Sequence, residues 1–320
     1  MWSSETLEWI DIELTSFCNI RCKGCFRVIS KHAGDILDKT YLDLDVIKEK
    51  FQKEMFPNMK IINFCGSVDE PTTHPQFFDI IKHFADWGCH INIATNGSLR
   101  TKKWWADLAE ILPPSHRVTW GIDGSDELSE VYREGSNFKK VQENFRSFIS
   151  AGGQAVWQFI VFEHNEHQME TAKQMAKDEG FRDFKTIISH RSDTKDIKHK
   201  KIPKADPNPK PRPCITCKYG SQKRIFVNHM GNVIPCCHLN SKMMEFSVSN
   251  NVKDKFEEIL VKDDYFSNIN LANVTLDEAM NSNVWNSIIS SWDEDERIPR
   301  CESVCAEKNR DKFIKEKLSE

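Results

Sequence analysis

Glu8-Trp9-Ile10-Asp11-Ile12-Glu13-Leu14-Thr15-Ser16-Phe17-Cys18-Asn19-Ile20-Arg21-Cys22-Lys23-Gly24-Cys25 is the stretch from which the fold can be read. Residues 8–14 alternate apolar and polar side chains, which is the period of a β-strand. Cys18, Cys22 and Cys25 then fall in the loop that follows. Thiolates are soft ligands that select iron–sulfur clusters, zinc or copper(I). Three ligands from one loop leave one position of a four-iron cube, or of a tetrahedral zinc, without a local protein ligand. An open coordination position belongs to chemistry rather than to scaffolding. A zinc knuckle completed by a distant Cys or His is the other reading of the same spacing.

Working outward, the rest of the N-terminal half repeats a strand–helix rhythm. The patterning predicts strands at 8–14, 59–64, 90–94, 117–122, 155–162 and 184–188, and helices near 42–55, 75–87, 102–111, 138–150 and 167–179. Six strands alternating with helices of this length imply βαβ units and a parallel sheet, an α/β fold. The polar and Gly-bearing motifs fall just after strands, the edge at which parallel α/β folds bind ligands. Residues 192–213 break the rhythm with proline and lysine and read as a linker or surface crossing. Beyond them lie six cysteines, a hairpin over 224–234 turning at Met230-Gly231-Asn232, and helices near 276–290 and 302–317. The expected domains are therefore 1–191, a linker 192–213, and 214–320.

The chain has 320 residues, of which 39% are hydrophobic and 29% charged, enough for a proper core. No run approaches a membrane span, and the N-terminus carries neither the basic nor the apolar region of a secretory signal, so the expected location is the cytoplasm. A net charge of −4 argues against a general nucleic-acid binder. The cysteines number eleven. In a reducing compartment an odd count of this size points to metal or iron–sulfur ligation rather than disulfides.

The Cys-x3-Cys-x2-Cys loop after the first strand resembles that of the radical SAM superfamily, in which three such cysteines hold a [4Fe–4S] cluster and S-adenosylmethionine chelates its fourth iron. The resemblance continues in order. Phe64-Cys65-Gly66-Ser67-Val68-Asp69-Glu70-Pro71 stands where the family carries a Gly-Gly-Glu-Pro type motif, which implies that Glu70 accepts from the SAM ammonium. Thr95-Asn96-Gly97 and Gly121-Ile122-Asp123-Gly124 resemble further family signatures, and Val131-Tyr132-Arg133 with Phe138 also fits. Asn96, Asp123 and Arg133 are implied as cofactor contacts. Gly24 stands in place of an aromatic residue, Val68-Asp69 in place of the Gly-Gly pair, and Gly121 in place of a serine. The implied architecture is a partial (β/α)6 TIM-like barrel with a small C-terminal α+β domain.

Cys217 through Ile225-Phe226-Val227-Asn228-His229-Met230-Gly231-Asn232 to Cys236-Cys237, followed by Cys301-x3-Cys305, resembles the SPASM/Twitch extension of the same family. That resemblance implies one auxiliary [4Fe–4S] cluster on Cys217, Cys236, Cys301 and Cys305, with Cys214 and Cys237 spare and either able to replace a listed ligand. A structural zinc site is the alternative. Cys65 and Cys89 read as structural, His74 as helping to cap the next helix, and Trp104-Trp105 as packing. No general acid or base can be singled out, so the catalytic residue stays unassigned.

The implied function is reductive cleavage of SAM to a 5′-deoxyadenosyl radical that abstracts hydrogen from a peptide or protein for oxidative modification or cross-linking. The first alternative is a dehydrogenase or epimerase of a small metabolite such as an aminoglycoside or sugar. The second is a non-catalytic Fe–S or zinc binding protein of the same fold. Expected partners are the peptide or small-molecule substrate and an electron donor such as flavodoxin or ferredoxin. Because a ligand already stands at residue 18, no N-terminal peptide-binding domain is expected, and a separate protein would supply peptide recognition.

Overall fold

A computed structural model describes residues 2–30, 40–188, 197–198, 215–293 and 297–305. The chain forms two compact units, one made of Met1–Ser16, Gly34–Asp69 and Lys204–Asp311, the other of Phe17–Ala33, Glu70–Pro203 and Lys312–Glu320.

In the first unit β1 (Trp9–Ile12) pairs in parallel with β2 (Ile61–Phe64), in the register Trp9↔Ile61 to Ile12↔Phe64. On its other side β1 pairs in parallel with β7 (Arg224–Val227). β8 (Val233–Ile234) adds antiparallel to β7, so the strand order is β2-β1-β7-β8. The C-terminal segment thus closes the free edge of β1. The β7–β8 connection is not a two-residue turn. The register Val227↔Val233 leaves five residues, 228–232, between the strands. Asn228 Oδ1 organises them by accepting from the amides of Met230 at 3.1 Å and Asn232 at 2.9 Å, and Gly231 takes φ of +83°.

Helix Cys237–Ser249, which the sequence pattern did not reveal, follows β8 and ends at Asn250 in the left-handed region, φ 48°. Lys255–Lys262 begins at an Asp254/Glu257 capping box and is followed by Tyr265–Ile269. The single helix expected over 276–290 is two, Leu276–Met280 and Asn283–Ser290. Ser282 restarts the second by accepting from the Trp285 amide, which a continuous helix would bond internally. Trp285 Nε1 donates to Val233 O at 2.9 Å and docks that helix on β8. The last helix spans Pro299–Cys305; the rest of the expected 302–317 lies outside the described residues.

In the second unit β3 (His90–Thr95), β4 (Arg117–Gly121), β5 (Ala155–Val161) and β6 (Asp183–Ile188) run parallel in that order. Helices Phe77–Ala85, Lys102–Ile111, Phe138–Ser150 and Met169–Asp178 alternate with them. These bounds match the expected ones within a few residues. The buried aromatic layer runs from Trp105 to Trp120 at 4.5 Å between centroids, on to Phe145 and Trp157 at 6.1 Å each, and to Phe181 at 5.1 Å. Gly97, with φ of +69°, lies so close to the Trp120 ring that a side chain there would collide with it. Of the linker, only 197 and 198 are described. Ile197 is fully buried against Tyr132 and Phe162, Lys198 is exposed, and the Glu163 amide donates to Lys198 O at 3.0 Å.

Trp120 touches Trp105, Phe145 and Phe148 and is fully buried. Trp120→Ala is expected to lower stability by about 3–5 kcal/mol, read as a shift of the urea midpoint without a change in slope.

Candidate functional site

The cysteine loop after β1 is tied down by main-chain bonds. The Glu70 amide donates to Phe17 O at 2.7 Å, Arg21 N to Glu134 O at 2.7 Å, and Lys23 N to Tyr132 O at 3.0 Å. The Cys25 amide donates to Cys22 O at 2.9 Å, which closes a tight turn, and Cys25 then caps the short helix Phe26–Ile29. Cys22 packs against the buried Tyr132–Phe162–Ile197 cluster. Burial and the nearby Glu70 carboxylate push the Cys18 thiol up to about 12.

Glu70 itself is buried, and its oxygens are held from several sides. Oε1 accepts from Thr72 Oγ1 and Thr95 Oγ1, both at 2.7 Å, and from Thr72 N at 3.4 Å. Oε2 accepts from the Asn96 amide at 2.7 Å. Burial raises the Glu70 pKa, and the bonds from Asn96, Thr95 and Thr72 oppose the rise. Asn96 Nδ2 reaches Cys18 Sγ at 3.7 Å and Asn19 Oδ1 at 3.0 Å. Glu70, Asn96 and the cysteine loop are therefore brought together within one compact unit.

Asp123 and Arg133 form a buried ion pair, Nε to Oδ2 at 2.8 Å. Asp123 Oδ1 also accepts from the Ile160 amide at 2.7 Å. Burial raises the Asp123 pKa, against the lowering influence of Arg133. The structure gives Gly121 a reason: a Cβ built there would stand 2.6–2.8 Å from the Arg133 guanidinium. His74, expected near a helix start, accepts from the Gln76 amide on Nδ1 at 3.1 Å.

In the other unit Cys217, Cys236, Cys301 and Cys305 line one cavity, with Pro235 and Trp292 among its walls. A hydrogen bond shared with Cys305 and then burial hold the Cys217 thiol high. Burial and neighbouring Cys237 and Cys301 raise Cys236, and burial and Cys305 raise Cys301 to about 12. Among the described residues no three Cys, His, Asp or Glu side chains stand close enough to hold a single metal ion. A tetrahedral ion with bonds of about 2.3 Å draws its sulfurs to within roughly 3.8 Å, whereas a four-iron cube sets them farther apart. Four thiols on one cavity are a soft donor set of the kind that ligates iron–sulfur clusters, so the residues fit that group. Cys214 lies outside the described residues. Cys237 Sγ instead meets Tyr219 Oη at 3.3 Å, and Cys65 Sγ accepts from Asn63 Nδ2 at 2.6 Å.

Two polar networks went unforeseen. Asp11 Oδ2 accepts from Tyr219 Oη at 2.9 Å and Arg224 Nε at 2.8 Å, while the guanidinium lies 3.9 Å from the Trp9 ring centroid and 4.2 Å from that of Tyr219. Glu13 Oε1 bonds His229 Nδ1 at 2.6 Å, and Glu13 Oε2 accepts from the amides of Ser67 and Val68. The available signal was a pair of acids on the first strand. Alternation alone does not say whether a polar face is wet, and Asp11 and Glu13 are buried.

A family model described as "Radical SAM superfamily" matches residues 12–176. The tungsten-containing aldehyde ferredoxin oxidoreductase cofactor-modifying protein of Pyrococcus furiosus is 36% identical over 106 residues, 33% of this chain and 28% of that protein. The S-adenosylmethionine-dependent nucleotide dehydratase of Selenomonas ruminantium is 31% identical over 90 residues, 28% of this chain and 30% of that protein. The matched segment thus spans under a third of these curated relatives. Among solved structures, anSMEcpe with bound AdoMet aligns with a TM-score of 0.57 at 16% identity over 89% of this chain and 84% of that one. Streptococcus suis SuiB bound to its precursor peptide SuiA aligns with a TM-score of 0.56 at 12% identity over 94% of this chain and 76% of that one. At such identities the likeness shows the fold: α/β, parallel strands with added C-terminal strands, consistent with the partial barrel expected.

Arg133→Met, which strands the buried Asp123 carboxylate, should cost about 3–5 kcal/mol in denaturant unfolding. Adding Asp123→Asn should recover a substantial part of the loss, because the two residues form one interacting unit.

Proposed function

This chain belongs to the radical SAM superfamily, and from that membership we propose that it reductively cleaves SAM and abstracts hydrogen from a peptide or protein substrate. What carries this proposal is the gathering of Cys18, Cys22, Cys25, Glu70 and Asn96 in one unit, with Asn96 Nδ2 at 3.7 Å from Cys18 Sγ. Cys18, Cys22 and Cys25 would hold a [4Fe–4S] cluster, which when bound supplies the electron that splits a carbon–sulfur bond of SAM. Glu70 Oε2 engages one donor, and a carboxylate oxygen offers about two acceptor positions, so a lone pair remains for the SAM ammonium. Asp123 and Arg133 remain the other proposed cofactor contacts, as a pair bonded to each other. An auxiliary [4Fe–4S] cluster is assigned to Cys217, Cys236, Cys301 and Cys305, within a module at 214–320 that follows the barrel at 1–191 and the linker at 192–213. It would accept an electron from the substrate radical or anchor the substrate.

SuiB bound to a precursor peptide supports the peptide class through likeness of fold. A small-molecule substrate is the second reading, favoured by the names of the two curated relatives, which act on a cofactor and a nucleotide. Electrons would come from a donor such as flavodoxin or ferredoxin, and a separate protein would bring a leader-bearing peptide. The cytoplasm is the location proposed; among the described residues no helix is long and apolar enough to cross a membrane.

Anaerobic reconstitution should give iron, sulfide and reductant-dependent 5′-deoxyadenosine. Cys22→Ala should abolish that product while the C-terminal cysteines keep their iron. Iron without the nucleoside would favour a non-catalytic binder, and zinc in place of iron would remove both radical readings.

SAM affinity should also depend on pH through Glu70. Its raised pKa means that the carboxylate is fully charged only above that value, so binding should weaken as pH falls, beginning above the ordinary carboxylate range of about 4.3. Equilibrium binding of SAM across acidic pH tests this; a flat profile would exclude Glu70 as the ammonium's partner.

A further inference from the structure

One amide near the cysteine loop has its orientation fixed from both ends. Asn96 Oδ1 accepts from Ser98 N at 2.9 Å and Ser98 Oγ at 2.6 Å. An amide carries its donors on nitrogen and its acceptor on oxygen. Turning the group over would set NH2 against the Ser98 amide and oxygen against both Asn19 Oδ1 and the sulfur. The network therefore assigns the nitrogen to the sulfur side, where Nδ2 meets Asn19 Oδ1 at 3.0 Å and Cys18 Sγ at 3.7 Å. Asn19 Nδ2 donates in turn to Ser98 Oγ at 2.9 Å, which closes a ring of three side chains beside the thiol. The Asn96 main chain is held separately, its amide bonded to Glu70 Oε2 at 2.7 Å. Asn96 is 6% exposed, so the N–H···S contact acts where water screens it poorly.

Resting on the cluster reading above, we infer that Asn96 is a tuning residue for the SAM-binding cluster rather than a contact to SAM. It donates to the Cys18 sulfur and so raises the cluster's reduction potential. A donor on a ligand sulfur draws charge from the thiolate and stabilises the form that carries one more electron. In the reaction concerned the oxidised cluster gains one electron from an external reductant, and no proton or bond is exchanged at Asn96. The sequence placed Asn96 among the SAM contacts. The geometry gives both ends of its amide to the protein instead, with one hydrogen left for sulfur.

The test is a dithionite redox titration of the reconstituted full chain, followed by EPR of the reduced cluster. Subtracting the signal of the Cys18→Ala/Cys22→Ala/Cys25→Ala variant isolates the N-terminal cluster. Asn96→Ala should make reduction about tenfold less favourable, a midpoint about 59 mV more negative for one electron, while the SAM concentration that perturbs the signal stays as in the wild type. Asn96→Asp, which exchanges the donor for a negative charge, should shift the midpoint further the same way. An unmoved midpoint in both variants would overturn the inference, as would a loss of SAM affinity at unchanged potential. Should Asn96→Ala fail to take up iron, Ser98→Ala decides instead: it frees the amide to turn and should lower the midpoint by less. If the wild type shows no signal that the triple variant removes, the cluster reading fails, and that result is distinct from an unmoved midpoint.

Discussion

A carboxylate sealed from water must find donors or become neutral, and Glu70 finds them on both sides of the cysteine loop. Its side chain collects Thr72 and Thr95 hydroxyls and the Asn96 amide, while its own amide reaches back to Phe17. Hydrogen bonds to a charged group contribute about 1.5–3 kcal/mol each, and here they offset part of the burial that opposes ionisation. The turn after β2, the end of β3 and the first residue of the loop are thereby fixed to one another. Cys18 follows Phe17 directly, so the place of its sulfur depends on this knot of bonds.

The two cysteine sets solve the same electrostatic difficulty differently. Cys18 sits among polar side chains, with Asn96 and the Asn19–Ser98 pair beside it. The C-terminal four share a cavity, where burial and neighbouring thiols hold Cys217, Cys236 and Cys301 high. Hydrogen bonding and burial are two of the means by which a protein sets cluster potential.

The strand–helix rhythm and the cysteine spacing were legible because each is a local signal: a period of two or 3.6, and soft ligands within one turn of chain. Helices 102–111 and 138–150 were placed to the residue for that reason. Other features depend on partners far along the chain. Nothing near Gly121 announces the guanidinium above it, and nothing in residues 237–249 has the regular apolar stripe that marks a helix. The burial of Asp11 and Glu13 was not legible because alternation cannot distinguish a wet face from a buried polar one. Ser282 splits a helix through its side chain, and Asn228 lengthens a turn that Gly231-Asn232 alone made look minimal. In each case a short polar side chain competed with the main chain and won.

The seat of the Arg133 guanidinium on Gly121 links two positions that eleven residues of chain keep apart. In this backbone a side chain at 121 meets the far end of Arg133, so a serine there makes the guanidinium give way, and with it the pairing to Asp123. Grafting the more familiar serine onto this scaffold therefore tests a buried ion pair as much as the position it replaces.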